Sequence, residues 1–97
     1  DELSYQLHLN LLLLANPARR REAADRLAQL AQREPGRADI QAAHALALAK
    51  TGRDAESHNA VRRALSLDAS QPVARALSND SEGLRQVRAN PFLALLF

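Results

Sequence analysis

Two of the three histidines, His44 and His58, stand on successive helical stripes, where they would face each other across a hairpin. Two imidazoles so placed invite a zinc reading. Protein zinc sites draw three or four ligands from thiolate, imidazole and carboxylate groups. The chain has no cysteine, and both histidines sit on apolar stripes with no carboxylate on those stripes to complete a ligand set. Packing is therefore the expected role of both rings, and no metal is expected. Serine and histidine occur, but without a nucleophile elbow, a glycine-rich phosphate loop or a spaced carboxylate pair. The chain is expected to be no enzyme and to need no cofactor. Asp54 and Glu56 follow Gly52-Arg53 and fit the cap and the first turn of a helix, where negative charge is stabilising.

Arg19-Arg20-Arg21 opens a helix, where cations oppose the helix dipole. Local pairing at i, i+4 offsets this: Arg21 with Asp25, and Glu22 with Arg26. The alternative is a patch for an acidic partner, extended by Arg53 from the equivalent turn further on. Lysine plus arginine number 13 against 11 acidic residues, a net charge of only +2. Nucleic-acid binding calls for a larger basic excess and stacking aromatics, which are 3% of the chain, so no nucleic acid is expected. Arginine in place of lysine, with abundant alanine, points to GC-rich coding and a bacterial source. The lack of cysteine leaves cytoplasm and periplasm both open. The lack of methionine suggests a mature fragment or an excised domain. The apolar runs, 11–15 and 92–97 among them, are far too short to cross a bilayer, so no membrane insertion is expected.

The elements that must position these groups are helices. Apolar residues are 46% of the chain and are mostly Ala and Leu. The β-branched residues are only Ile40, Thr51, Val61, Val73 and Val87. Leu3, Leu7, Leu11 and Leu14 form one stripe at helical spacing. Ala23, Leu27, Leu30 and Ala31 form a second. Ile40, Ala43, His44, Ala47 and Leu48 form a third, and Ala55, His58, Val61 and Leu65 a fourth. Asn16-Pro17, Gln71-Pro72 and Asn90-Pro91 read as helix starts; Glu34-Pro35-Gly36 and Thr51-Gly52 read as stops. The spacing predicts helices over 2–15, 17–33, 38–51, 54–67 and 71–79, with two more over 81–88 and 91–97. The fold class is all-α, and short connections make neighbouring helices antiparallel hairpins.

Two hairpins compare at an offset of 34 residues: Leu14 with Leu48, Leu27 with Val61, Ala18 with Gly52, Leu11 with Ala45. A two-helix unit of that period is a repeat signature. Hairpin 38–70 resembles a tetratricopeptide (TPR) repeat through His44-Ala45, Leu48, the turn 52–56, Ala60-Val61, Ala64-Leu65 and Leu67-Asp68. Hairpin 4–37 is similar through Ala23, Leu27 and Pro35. The departures are Leu11 where the family prefers a small residue, Leu30 and Ser57 at its usual alanines, Ala69 at its proline, and Leu7 and Gln41 at its tryptophan. The resemblance covers residues 4–70. It implies a single domain, a short TPR-like α-solenoid, with 71–97 as a partial third hairpin or C-terminal capping helices. A plain helical bundle is the alternative.

The resemblance also implies protein or peptide binding on a concave face lined by the first helix of each pair, without chemistry. The lining would be Tyr5, His8, Leu12, Asp39, Ala42, Leu46 and Lys50. The carboxylate clamp by which some members hold chaperone tails is absent, because His8, Leu12, Ala43, Ala74 and Ser78 stand there. The expected function is a protein-interaction scaffold or adaptor; the alternative is a self-association module packing through apolar terminal helices. Leu9 and Leu13 are left on a second side of the first helix, for a partner, another copy or preceding chain. At 90–97, Phe92, Leu93, Leu95, Leu96 and Phe97 crowd one short segment. It either caps the last hairpin or docks into another chain.

Overall fold

The computed structural model describes residues 1–78. Within them lie five helices and no strand: α1 (Glu2–Leu14), α2 (Arg20–Arg33), α3 (Ala38–Lys50), α4 (Asp54–Leu67) and α5 (Pro72–Ser78). The protein is all-helical, with antiparallel neighbours packed side by side. The helices expected over 81–88 and 91–97, and with them Phe92, Leu96 and Phe97, lie outside the described residues.

Each helix end has a local cause. The Asp1 carboxylate accepts the Ser4 N–H at 2.7 Å and caps α1. The helix expected from 17 starts at Arg20 instead. Asn16 Oδ1 accepts the Ala18 N–H at 3.0 Å, closing an Asx turn over Pro17 rather than capping a helix there. At the end of α3 the Arg53 N–H reaches back to the Leu48 carbonyl at 2.8 Å and the Gly52 N–H to that of Ala49 at 3.1 Å. This is a Schellman closure, and Gly52 takes the required positive φ of 82°. Gln71 caps α5 by accepting the Ala74 N–H at 2.9 Å, with Pro72 in the first turn.

The core is built around α3, which packs against all four other described helices. Ten of its 13 residues are buried. Five of those are Ala42, Ala43, Ala45, Ala47 and Ala49, and small side chains let neighbours approach from several directions. Leu7, Leu11 and Leu14 of α1, Leu27 of α2, Val61 of α4, and Val73 and Leu77 of α5 fill the remaining space. Burying each large side chain contributes up to about 1.5–3 kcal/mol.

Two buried polar side chains tie helices of this core together, and a third bonds within its own helix. Ser57 is fully buried and donates its hydroxyl to the Ala45 carbonyl at 2.8 Å, pinning α4 to α3. Gln41 donates to the carbonyls of Ala31 at 3.0 Å and Glu34 at 3.4 Å, pinning α3 to the end of α2. Asn10 donates to the Gln6 carbonyl at 2.8 Å.

Helices α2 and α4 begin and end 34 residues apart, and α3 and α5 begin 34 apart. Between α1 and α3 the offset is 36 at both ends. The difference lies in the turn 15–19, which is two residues longer than the turn 51–53.

Candidate protein-binding surface

Helix α1 has two unlike faces. Leu7, Leu11 and Leu14 sink into the core. Tyr5, Leu9 and Leu12, at i, i+4 and i+7, share the opposite face. They are 64%, 38% and 69% exposed. With Leu67, they are the large apolar side chains most open to water among the described residues. His8 is exposed beside them, its Nδ1 donating to the Ser4 carbonyl at 2.7 Å. Leu13 is half-buried and packs against the core, so it serves the fold more than an outer face.

A cleft of about 290 Å³ runs between α1 and α2, lined by Gln6, Leu9, Asn10, Arg26, Gln29, Leu30 and Arg33. Leu9 and Leu30 are its apolar members, and Arg26 and Arg33 make its α2 edge cationic. Asn10 borders it and is 5% exposed, with its Oδ1 unpartnered. An unpaired buried carbonyl costs about 1–3 kcal/mol in desolvation.

The expected lining from α3 is corrected by its central position. Leu46 and Ala42 are fully buried, and Lys50 is buried too, so none of them is open to a partner. Burial, and then the nearby Arg20 guanidinium, hold the Lys50 ammonium below the usual lysine pKa. Asp39 is half-buried and engaged locally: it accepts two bonds from the Arg37 guanidinium, at 3.2 and 2.7 Å, and one from the Ile40 N–H at 2.9 Å. Of the sequence-predicted lining, the structure brings Tyr5, His8, Leu9 and Leu12 to one exposed helix face.

The two histidines read as a pair occupy different environments. His58 is exposed, against the expectation that it packs on the apolar stripe of α4. His44 is half-buried in a cleft between α2, α3 and α4 with Ala28, Ala31, Gln32, Pro35, Gln41 and Arg63. Its Nδ1 is buried without a partner. Desolvation, then Arg63 and Arg53, push its pKa below the ordinary histidine value. Among the described residues no three histidine or carboxylate side chains converge on one point.

The arginine cluster is only partly paired as expected. Arg26 meets Glu22 at 2.8 Å, and Arg19 also meets Glu22 at 3.4 Å. Arg21 and Asp25 form no ion pair, contrary to the i, i+4 expectation; both line a shallow cleft with Ala24, Thr51 and Arg53. Arg53 itself is held by Glu56 through bonds of 3.0 and 2.8 Å. Arg20 donates from Nε to the Leu14 carbonyl at 3.2 Å, which places a cation at the C-terminal end of α1.

The sequence reading missed the roles of Asn10 and Gln41. Asn10 sits on the Leu7–Leu11–Leu14 face, and a polar residue on an apolar stripe is the signal that marks a buried hydrogen-bonding group. No helix of the described residues is long and apolar enough to cross a membrane. No protein-family model matches the chain, and no curated protein or solved structure matches it.

Proposed function

We propose that this chain is a TPR-like helical-repeat module that acts as a scaffold or adaptor, binding another protein through the outward face of α1. The observation that carries the reading is the ridge Tyr5–Leu9–Leu12, exposed on a helix whose other face is locked into the core. Water-exposed large apolar side chains that align along a helix favour contact with another apolar surface. The two-helix spacing of 34 between α2 and α4, and the small side chains where α3 and α4 meet, support the repeat assignment. The ridge offers an aromatic anchor and two leucines, a set suited to the buried centre of an interface.

The test is affinity capture from cell extract with the wild-type chain and with Leu12→Arg. Leu12 is 69% exposed, so the variant is expected to fold normally and to lose its bound protein. Equal capture by both chains would rule out α1 as the binding face.

A further inference from the structure

We infer that the partner of the α1 face is a second copy of this chain, joined by antiparallel packing of α1 on α1 about a two-fold axis. The inference rests on the reading of α1 as a binding face and names what binds there.

Charge is distributed unevenly along α1. Its N-terminal end carries Asp1 and Glu2, both exposed. Its C-terminal end is met by Arg20, which is bonded to the Leu14 carbonyl, with Arg19 next to it in the chain. The helix is therefore a rod, acidic at one end and basic at the other, with an apolar ridge between. Packed antiparallel on itself, it sets Asp1 and Glu2 of each copy toward the Arg20 end of the other, and the helix dipoles also oppose. Packed parallel, it sets like charges together at both ends. A two-fold contact is self-complementary by construction, as this ridge is. Tyr5 and Leu12 are spaced evenly about the point between His8 and Leu9, so Tyr5 of one copy meets Leu12 of the other, while His8 and Leu9 meet at the axis.

The chain has no cysteine, so single cysteines report the geometry without interference. Sedimentation equilibrium of the whole chain is expected to give twice the monomer mass of 10.6 kDa as concentration rises. Glu2→Lys is expected to weaken association, more at low salt than at high. On mild oxidation His8→Cys is expected to cross-link to itself, and Tyr5→Cys to cross-link to Leu12→Cys. Tyr5→Cys alone is expected not to, because the two copies of that position lie roughly 10 Å apart along the axis, beyond disulfide reach. Self-cross-linking of Tyr5→Cys would overturn the antiparallel arrangement. A monomer at every concentration that still captures another protein through Leu12 would overturn the dimer and leave the adaptor reading standing. A dimer unaffected by Leu12→Arg, with circular dichroism showing the variant folded, would overturn the α1-on-α1 contact and leave the adaptor reading to the capture test.

Discussion

Gly52 ends α3 with φ at 82°, and a Cβ added there would meet no atom within 4 Å. The cost of any side chain at this site is therefore conformational rather than steric. Gly52→Ala is expected to lose about 1–2 kcal/mol, the penalty of a left-handed backbone for an L-residue, read as a fall in the denaturation midpoint at unchanged slope. His44 gives a pH dependence of known sign. In the unfolded chain it titrates near 6.5, and in the fold its pKa is lower, first through desolvation and then through Arg63 and Arg53, with Glu56 opposing. Between those two values the unfolded chain binds a proton that the fold refuses, so stability falls as pH drops through that window and is unaffected by His44 above it. Urea midpoints at pH about 7.5 and about 5.5 are expected to differ more in wild type than in His44→Gln. Equal differences in the two chains would mean that His44 is solvated. Gly52 was legible in the sequence because its turn has a local signature. The environment of His44 was not, because the cleft around it is assembled from three helices.

At the scale of elements, the helical stripes were legible, and the boundaries of α3 and α4 fall within a residue of the spacing. The start of α2 was not: Asn-Pro serves equally as a cap and as a turn, and the Asx bond to Ala18 decided for the turn. Nor does a stripe say how many neighbours a helix has. Leu46 stands off the apolar stripe of α3 and reads as exposed, yet it is fully buried, on a helix that all four other described helices pack against. Ala45 and Ser57 mark the α3–α4 contact, both at zero exposure. Ala45→Leu is expected to overpack it at a cost of roughly 1–3 kcal/mol, and Ser57→Ala to lose roughly 0.5–1.5 kcal/mol with the bond to the Ala45 carbonyl. Thermal melting of both variants checks this; wild-type melting of Ala45→Leu would mean that the two helices are not in close contact. The α1 ridge behaves oppositely: Tyr5→Ser with Leu12→Ser should leave the melting of a dilute sample unchanged, because both residues are mostly exposed.

At the scale of the molecule, the core belongs to α3 and the open apolar face to α1. Helix α3 packs against all four other described helices, whereas the outward face of α1 has no described helix covering it. The sequence pattern placed Tyr5, His8, Leu9 and Leu12 together, since one helix carries them all. It placed Asp39, Leu46 and Lys50 with them only by analogy between repeats, and the longer turn 15–19 shifts α1 relative to α3 by two residues in that analogy. Hydroxyl-radical footprinting tests the central claim most directly, because it reads side-chain exposure along the whole chain in one measurement. In the dilute free chain Tyr5 and Leu12 should label strongly and Leu27 and Leu46 hardly at all, and in the complex with a second copy or another captured protein Tyr5 and Leu12 should lose their label. Tyr5 and Leu12 labelled equally in the free and bound states would contradict the claim that α1 is the face by which this protein binds another.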